Sequence, residues 1–355
     1  MKPKICLLTD SLSSGGAEKM VANLSVSFSK KGYEVVIVLM NDNIDYNFKG
    51  RIFNFGKIKA THSIFTSFLK LRTFVKYENF DVILDHRVRD KFLKEFAFAQ
   101  FIFKKAAVVY CVHSYKLNLY FSTINKKPLT RFTLVKNREI VTVSKEIKDV
   151  LNSVLSLNST VIYNYPMFKE NKKVELQELP EKYIIAVGRL DKIKQFDVLI
   201  KCYKNSNLSS HNIKLLILGE GKEKRSLANL IDRLNLDDYV HLKGFVNNPE
   251  KYIKNAKALV MSSVSEGFPM VLIEAMALKT PCVSFDCYSG PNEIIKHNIN
   301  GILVEKQNKE ELTKAMDKLL LDDVFYASIK RNLQSDELMF SEEKILKQWV
   351  KIISK

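Results

Sequence analysis

Residues 183–218, YIIAVGRLDKIKQFDVLIKCYKNSNLSSHNIKLLIL, carry the pattern that decides the fold. Two short apolar runs, at 183–187 and 214–218, enclose a stretch with the apolar spacing of an amphipathic helix. A buried strand, a helix and a second buried strand form the unit from which parallel sheets are built. The sequence therefore predicts an α/β fold in this part of the chain.

The same alternation continues on both sides of this stretch. Further strand-like runs occur at 4–9, 34–40, 81–84, 107–111, 139–143, 240–242, 258–261, 281–285 and 301–304, and helical patterns at 17–31 and 64–77. A charged stretch without periodicity, at 166–180, separates the two series. We therefore predict an N-terminal Rossmann-like domain at 1–165, a linker at 166–180 and a C-terminal Rossmann-like domain at 181–338. An amphipathic helix at 339–355 is expected to pack back towards the N-terminal domain.

Composition excludes several classes of protein. The chain has 355 residues, 46% hydrophobic and 27% charged, so it is neither disordered nor collagenous. Its five cysteines have no zinc or redox spacing, which indicates reduced, mostly buried thiols. No histidine has metal-ligand spacing with cysteine or acidic residues, so we expect no metal site. The lack of a long uncharged apolar segment and of a signal peptide predicts a cytoplasmic protein.

The charge distribution indicates an anionic partner for the N-terminal half. The net charge is +17, and residues 1–165 contain 26 basic against 13 acidic side chains. The remainder contains 30 basic and 26 acidic side chains. Nucleic acid, an anionic membrane surface and phosphorylated small molecules all suit this imbalance.

The stretch 265–275, SEGFPMVLIEA, follows a predicted strand and has an anion-binding pattern. Ligands of open α/β sheets collect beyond the carboxyl ends of the strands. Pro269 suits the first position of a helix, where backbone N–H groups have no partner within the helix and attract anions. The N–H groups concerned run from Gly267 and Phe268 through Met270 to Val271.

Two carboxylates flank this predicted helix start. Glu266 precedes it and Glu274 lies about a turn and a half into the helix, so both can accept hydrogen bonds from hydroxyl groups of a ligand. A solvated glutamate pair is the alternative. Apolar residues surround Glu274 in the sequence, however, and a buried carboxylate needs partners. The pattern favours a binding role for both glutamates.

Three further groups of residues directly follow predicted strands. Arg189 and Lys194 would supply a guanidinium fork and a point charge for a diphosphate, the alternative being a solvated basic loop. Gly15 and Gly16 permit close approach of a ligand to the backbone, although a glycine pair also suits a plain tight turn. His113 would lie at the edge of the crevice, the alternative being a structural histidine.

Taken in chain order, these residues resemble the retaining glycosyltransferases of family 4. The shared pieces are Gly15-Gly16-Ala17-Glu18, His113, Gly188-Arg189 with Lys194, and Glu266 with seven residues between it and Glu274. Between 183 and 304 they also include Gly219-Glu220-Gly221, Gly244-Phe245, Gly290-Pro291-Asn292-Glu293 and Asn300-Gly301. The resemblance runs the whole length of the chain. It implies an α/β protein with the GT-B fold, in which two Rossmann-like domains face each other across a cleft.

The resemblance also implies roles for individual residues. The diphosphate of a nucleotide sugar would be held by Arg189, Lys194, Gly16 and the start of the helix at Gly267, Phe268, Met270 and Val271. Glu274 would bind the ribose, and Glu266, Gly267 and Phe268 would contact the sugar. Glu266 and His113 are the implied catalytic residues. Such a transferase would retain the anomeric configuration and need neither metal nor cofactor.

Two residues depart from the family pattern. Gln195 and Lys279 both stand where glycine is common in the family. Gln195 would alter how closely the loop approaches the phosphates, whereas Lys279 indicates a turn variant. Neither departure removes a charged ligand.

The sequence indicates less about the acceptor substrate than about the sugar donor. Apolar and basic residues mingle at 65–76 and 87–105, a composition that suits docking on an anionic inner leaflet. The hypothesis is a peripheral enzyme of bacterial surface polysaccharide synthesis that uses a UDP-sugar and extends a saccharide linked to a polyprenyl diphosphate. A packed helix with a solvated basic face is the alternative for these segments.

Two other functions compete with transfer. A nucleotide-sugar epimerase on the same fold would release UDP without an acceptor. A nucleic-acid-binding protein would use the basic N-terminal half, but no recognised nucleic-acid motif is present and we expect no nucleic-acid partner.

Overall fold

The structure is a computed structural model that describes residues 2–13, 15–103, 106–122, 130, 138–168, 179–246, 248–335 and 339–354. The chain divides into two compact units. Unit 1 consists of Met1–Tyr165 with Phe340–Lys355, and unit 2 of Pro166–Met339. Most of the expected linker, residues 169–178, lies outside the described residues. Each unit contains a parallel sheet with helices, so the α/β prediction is confirmed.

Unit 1 is built on a seven-stranded sheet of order β3-β2-β1-β4-β5-β6-β7, parallel throughout. Its elements are β1 Lys4–Thr9, α1 Gly16–Lys30, β2 Glu34–Leu39, β3 Arg51–Asn54, α2 Phe55–Thr61, α3 Ile64–Glu78, β4 Val82–Asp85, α4 Phe92–Ala97 with a π-turn at Phe98–Ile102, β5 Ala107–Val112, β6 Glu139–Thr142, α5 Lys145–Leu155 and β7 Thr160–Val161. The central strands are apolar on both faces, as parallel strands covered by helices must be.

The sequence pattern predicts five strands for this sheet and misses two of the seven. β3 has the sequence RIFN and is half-buried, so it lacks the continuous apolar run by which the central strands are recognised. β7 contains only two residues. Both missed strands lie at edges of the sheet, where partial exposure weakens the apolar signal.

Unit 2 is built on a six-stranded parallel sheet of order β10-β9-β8-β11-β12-β13. Its elements are β8 Tyr183–Val187, α6 Phe196–Asn205, β9 Lys214–Leu218, α7 Lys224–Arg233, β10 Val240–Gly244, α8 Pro249–Asn255, β11 Ala258–Met261, α9 Met270–Ala277, β12 Cys282–Phe285, α10 Pro291–Ile294, β13 Gly301–Val304, α11 Lys309–Leu321 and α12 Asp323–Ser335. All six strands of this sheet occur where the apolar runs predict them.

The last helix, α13 at Glu342–Ile353, belongs to unit 1. Ser341 caps it by accepting a hydrogen bond from the Lys344 backbone N–H. Its apolar face is buried, and the Glu342 carboxylate accepts a hydrogen bond of 2.6 Å from the Ser27 hydroxyl of α1.

The order of the strands in unit 2 determines which loops become neighbours. β8 lies between β9 and β11, and β12 is next to β11. Because all strands are parallel, the loops after these four strands emerge at the same edge of the sheet. Of the residues singled out in unit 2, the donor-site residues before Met270 lie on these loops, and Met270, Val271 and Glu274 lie on α9, which follows the loop after β11.

Two general features complete the fold. All five cysteines are free and buried, as expected from their spacing. Among the described residues, no helix combines the length and the apolar character needed to cross a bilayer.

Candidate active site

The loop after β8 carries the two predicted diphosphate-binding cations. The Asp191 carboxylate accepts hydrogen bonds from the backbone N–H groups of Ile193 and Lys194, at 3.0 and 3.2 Å, and so fixes a tight turn. Arg189 lies 3.3 Å from Asp191, and its side chain is 60% exposed. The structure therefore leaves Arg189 accessible, while Lys194 is held at the end of the turn.

Glycines on the loop after β9 support this turn. The Gly188 N–H donates to the Leu218 carbonyl at 3.0 Å, and the Leu190 N–H donates to the Glu220 carbonyl at 2.9 Å. A Cβ at Gly219 would overlap the Gly188 carbonyl oxygen. The loop that carries Arg189 therefore rests directly on the backbone of its neighbour.

Lys194 and Glu266 form an ion pair. Lys194 Nζ lies 2.6 Å from Glu266 Oε1, and the two side chains are 19% and 13% exposed. The residues are far apart in sequence but lie on loops after the adjacent strands β8 and β11. The Ser262 hydroxyl joins these loops by donating to the Lys194 carbonyl at 2.8 Å. The residue predicted to bind the diphosphate and the residue predicted to bind the sugar are thus direct neighbours.

The loop that contains Glu266 and Gly267 is held by the loop after β12. The Glu266 N–H donates to the Tyr288 carbonyl at 2.5 Å, and the Ser289 hydroxyl donates to the Gly267 carbonyl at 2.7 Å. Ser289 is fully buried and has a φ of +93°, a conformation that is rare for residues other than glycine. Such strain at a site is typical of a functional loop.

The helix start differs slightly from the prediction. Pro269 is the N-cap residue, with ψ at 102°, and α9 begins at Met270. Gly290, at φ +103°, allows the next loop to approach, since a Cβ there would lie 2.7 Å from Pro269 Cδ. Phe268, Met270 and Glu274 are all buried, at 5%, 8% and 4% exposure, and Val271 is half-buried.

The two departures from the family pattern adopt the left-handed conformation that glycine favours. Gln195 has φ +49° and Lys279 has φ +60°. The Gln195 side chain compensates by accepting a hydrogen bond of 2.9 Å from Gln307. Lys279 lies in the turn after α9, which agrees with its interpretation as a turn variant.

Gly16 and His113 belong to unit 1. Gly16 is the first residue of α1, and Gly15 is its N-cap in extended conformation. A Cβ at Gly15 would overlap the Glu18 carboxylate, so this acidic side chain lies directly against the helix start. The approach of a ligand phosphate to Gly16 stays a prediction.

His113 follows β5 and contacts a second histidine. Its Nε2 lies 2.9 Å from Nδ1 of His86, which follows β4. Burial lowers the pKa of His113 well below its ordinary value, and the neighbouring His86 and Arg89 lower it further. Burial, with a smaller contribution from Arg89, lowers the pKa of His86 to about 3. Both rings are therefore neutral at physiological pH.

The basic segments of unit 1 are only partly available to a partner. Arg87 is fully buried, and its guanidinium binds both oxygens of Asp85 at 2.9 and 2.8 Å and Glu95 at 3.1 Å. Arg89 is also buried, and Phe98 and Phe103 belong to the core. The expectation that 87–105 presents its cations to an anionic surface is wrong for these two arginines, since the buried carboxylates occupy or surround them.

Comparisons with known proteins identify the family. Residues 14–165 match the family model described as Glycosyltransferase Family 4, and residues 167–336 match that described as Glycosyl transferases group 1. The N-acetylgalactosamine-N,N'-diacetylbacillosaminyl-diphospho-undecaprenol 4-alpha-N-acetylgalactosaminyltransferase of Campylobacter jejuni is 32% identical over 367 residues, covering 99% of both chains. The chain belongs to the family 4 glycosyltransferases. It is therefore an enzyme that transfers a sugar.

Solved structures place this glycosyltransferase in the GT-B fold. A TarM variant from Staphylococcus aureus, solved with UDP, superposes with a TM-score of 0.76 at 16% identity and full coverage of both chains. HepE from Anabaena, solved with UDP-glucose, gives a TM-score of 0.77 at 19% identity and covers 99% of this chain and 100% of its own. The predicted fold class is confirmed.

Some residues of the site have only a weak signal in the sequence. Asp191 lies between Arg189 and Lys194, but only its hydrogen bonds reveal that it shapes the turn before Lys194. Ser262 and Ser289 are small polar residues after strands, which is a weak signal in itself. Ser289 could have been suspected from its place directly before Gly290-Pro291.

Proposed function

We propose that this glycosyltransferase moves a sugar from a UDP-sugar to a lipid-linked saccharide, with retention of configuration and without a metal ion. The observation that carries the donor half is the contact between Lys194 and Glu266 beside the start of α9, with Arg189 on the same loop as Lys194. One cation is thereby held against the carboxylate assigned to the sugar, and a second cation remains accessible for the phosphates.

The chemistry of transfer suits this arrangement. When the bond between sugar and diphosphate breaks, negative charge develops on the leaving diphosphate. Lys194, Arg189 and the N–H groups at the start of α9 supply fixed positive charge where it develops. Fixed charges need no reorganisation during the reaction, so they stabilise the transition state more than solvent would.

Two observations support the proposed lipid-linked acceptor: the name of a relative and the exposed residues of one helix. The Campylobacter relative is named for an acceptor linked to diphospho-undecaprenol, and it matches this chain over its full length. Helix α3 of unit 1 exposes Ile64 and Phe65 in its first turn and Tyr77 in its last turn, at 89%, 72% and 86%. On the same helix Lys70, Arg72 and Lys76 form no ion pair with any described acidic residue. Apolar side chains among cations that no described carboxylate neutralises suit the interface of an anionic bilayer.

The donor site is tested by calorimetric binding of UDP, UDP-sugars, GDP-sugars and ADP-sugars. We expect UDP-sugars to bind, and Arg189→Ala to weaken both UDP and UDP-sugar by about ten- to a hundredfold, as for loss of a charged hydrogen bond. Glu266→Gln should weaken the UDP-sugar relative to UDP, since Glu266 is assigned to the sugar. Lys224→Ala, which removes another cation of unit 2 from an exposed ion pair with Glu220, is the matched control.

The reaction itself is tested on a synthetic polyprenyl-diphosphate saccharide. Transfer should continue in excess EDTA, and the anomeric signal of the product in NMR should match that of the donor. Release of UDP and free sugar without an acceptor product would contradict transfer and favour the epimerase. Equal weakening of binding by Lys224→Ala and Arg189→Ala would contradict the assigned donor site.

Flotation with liposomes tests the acceptor surface separately. Binding to anionic vesicles at low salt should fall more than tenfold when Lys70 and Arg72 are both changed to Glu, since each cation contributes about 1 kcal/mol. Phe65→Ser should weaken binding at all salt concentrations. Val324→Ser, at an apolar residue of unit 2 that is 83% exposed, should have no effect. If none of these substitutions alters liposome binding, helix α3 is excluded as the membrane-binding surface.

A further inference from the structure

The loop at 305–308, which joins β13 to α11 in unit 2, has no role so far in the proposed chemistry. The Asn308 side chain accepts a hydrogen bond of 3.0 Å from the Glu311 N–H, and the Glu311 carboxylate accepts one of 3.1 Å from the Glu305 N–H. These bonds fix the backbone at both ends of the loop. The two side chains between Glu305 and Asn308 therefore extend from a fixed backbone.

The Gln307 side chain reaches the loop that carries Lys194. Gln307 Nε2 donates to Oε1 of Gln195, the N-cap residue of α6, at 2.9 Å. The two loops are neighbours because α11 packs on α6, where the Cys202 thiol donates to the Lys309 carbonyl at 3.4 Å. Since Gln195 directly follows Lys194, the bond to Gln307 holds the end of the turn on which Lys194 lies.

Both glutamines of this pair have a left-handed backbone. Gln195 has φ +49° and Gln307 has φ +64°, values that residues other than glycine rarely adopt. The glycine common in the family at position 195 would adopt this conformation without strain, but it has no side chain to bond Gln307. Strained residues persist where the surrounding structure holds them, and they cluster at ligand sites. Two such residues bonded to each other beside Lys194 therefore indicate a functional contact.

The Lys306 side chain reaches the other partner of the ion pair through Tyr288. Lys306 Nζ lies 3.4 Å from the centroid of the Tyr288 ring, which attracts a cation at this distance. The Tyr288 carbonyl accepts the hydrogen bond from the Glu266 N–H, and Tyr288 forms a parallel β-bridge with Ser265. A contact that fixes Tyr288 therefore also fixes Glu266.

We propose that the loop after β13 is part of the donor site, with Lys306 and Gln307 as positioning residues. Gln307 fixes the turn that ends at Lys194, and Lys306 fixes Tyr288 and with it the loop of Glu266. The inference rests on the proposed function for the identity of the donor. Neither positioning residue touches the donor itself. They hold the ion pair in one geometry before the donor binds, so that less ordering is needed on binding.

The two contacts serve different parts of the donor. Lys194 is assigned to the diphosphate, which UDP and a UDP-sugar share, whereas Glu266 is assigned to the sugar, which UDP lacks. Loss of the Gln307 contact should therefore weaken both ligands. Loss of the Lys306 contact should weaken the UDP-sugar more than UDP.

Calorimetry with UDP and with the UDP-sugar that the wild type binds most tightly tests the glutamine contact. Gln307→Ala and Gln195→Gly should each weaken both ligands about two- to tenfold, the range for loss of one hydrogen bond. The double variant should be no weaker than either single variant, because all three lose the same contact. Gln195→Gly also relieves backbone strain, so its melting temperature should stay within about 2 °C of the wild type. A merely structural contact would not weaken binding without a loss of stability.

The contact between Lys306 and Tyr288 is tested by two substitutions that differ in charge. Lys306→Ala and Tyr288→Leu should both weaken the UDP-sugar about two- to fivefold, as for loss of an exposed cation–π contact, and UDP less. Tyr288→Leu keeps the net charge and the backbone carbonyl, so weaker UDP in Lys306→Ala alone would show that Lys306 acts directly on the phosphates and would overturn its positioning role. Lys306→Arg keeps a cation over the ring and should bind both ligands as the wild type does. Lys314→Ala, at an exposed ion pair on α11, is the control.

Hydrogen exchange of the full chain without ligand, followed by mass spectrometry, tests the positioning independently of the donor. Gln307→Ala should speed exchange at 191–196 and Lys306→Ala at 264–268, and Lys314→Ala should speed neither. Unchanged exchange in the first two variants overturns the proposal, whether or not the protein binds a UDP-sugar. Faster exchange with unchanged affinity for both ligands also overturns it and leaves the donor site intact. A wild type that binds no nucleotide sugar contradicts the proposed function, and exchange then decides whether the loop fixes the ion pair.

Discussion

At Gly219 two neighbouring loops come so close that no side chain fits between them. Its φ of +149° is one that side-chain-bearing residues rarely adopt, and the position of its missing Cβ overlaps the Gly188 carbonyl. The loop that carries Arg189 is set by this contact. A single methyl group therefore disturbs the donor site without touching any ligand.

We expect Gly219→Ala to destabilise the protein by more than the roughly 1–2 kcal/mol that a left-handed backbone costs, and to weaken UDP binding. Gly32→Ala is the matched control, because Gly32 also has a positive φ, +77°, but faces only the end of the Lys2 side chain at 3.6 Å. Urea unfolding and calorimetry measure the two effects. Equal losses in both variants would show that backbone conformation, and not the overlap with Gly188, is responsible.

At the scale of elements, the edge strand β3 is held by ion pairs of Arg51 as well as by the packing of Phe53 on Phe74 of α3. The carboxylate of Glu78, the last residue of α3, binds Arg51 of β3 and Lys4 of β1, each at 2.7 Å. One buried carboxylate thus joins two strands and a helix. These ion pairs therefore add to the packing of Phe53 in a strand that has no continuous apolar run.

The same cluster makes a pH-dependent contribution to stability. The hydrogen bond from Arg51 is the main cause that lowers the pKa of Glu78 below its ordinary 4.5. A carboxyl with a lowered pKa stabilises the fold above its unfolded pKa and loses this contribution as the pH falls through the folded pKa. We expect Glu78→Gln to reduce the free energy of unfolding by about 1–3 kcal/mol at neutral pH, with the difference shrinking below about pH 4.5.

Urea unfolding at a series of pH values measures this difference. Glu310→Gln serves as the control, because Glu310 forms only an exposed ion pair with Lys314 on one helix. Such a pair contributes little to stability. A difference between wild type and Glu78→Gln that does not change with pH would exclude the ionised carboxylate as its source.

The turn after α9 offers a prediction in the stabilising direction. Lys279 is in the left-handed region at φ +60°, a conformation in which glycine avoids the steric cost borne by other residues. Lys279→Gly should therefore raise the melting temperature, by an amount corresponding to about 1 kcal/mol, and leave donor binding unchanged. Differential scanning calorimetry measures the shift. A lower melting temperature would show that the Lys279 side chain stabilises the turn by more than its backbone strain costs.

At the scale of the whole molecule, the chain returns to unit 1 after completing unit 2. Helix α13 buries Ile345, Leu346 and Trp349 at 1%, 2% and 2% exposure, all within unit 1. Phe340 packs on Tyr163 with ring centroids 5.3 Å apart. Phe340 and the apolar face of α13 are thus part of the core of the N-terminal unit.

We expect Trp349→Ala to destabilise unit 1 selectively, by about 3–5 kcal/mol, as for a buried aromatic side chain. Hydrogen exchange followed by mass spectrometry should show faster exchange in β1, β4 and β5 and unchanged exchange in β8 to β13. Val324→Ala, at an exposed residue of unit 2, should change neither. Equal acceleration in both units would mean that they unfold as one.

Much of this architecture can be predicted from the sequence, because a strand buried in a parallel sheet appears as a run of apolar residues that are consecutive in the chain. Five of the six strands of unit 2 are buried apolar runs, whereas the edge strand β10 is half-exposed and is recognised only from the short run at its start. The stretches around Arg189 and Glu266 are recognisable because they follow such runs directly. The edge strands β3 and β7 are not, because half-exposed strands leave no such pattern.

The sequence by itself determined the two α/β units, their strands of continuous burial and the glycosyltransferase motifs, because each depends on residues close together in the chain. Only the tertiary structure decided three contacts between loops: Lys194 with Glu266, the Ser289 hydroxyl with the Gly267 carbonyl, and His86 with His113. It also decided that Arg87 forms ion pairs with buried carboxylates. The three contacts between loops depend on which strands are neighbours in the sheet. The burial of Arg87 depends on where α4 packs. No local spacing encodes either.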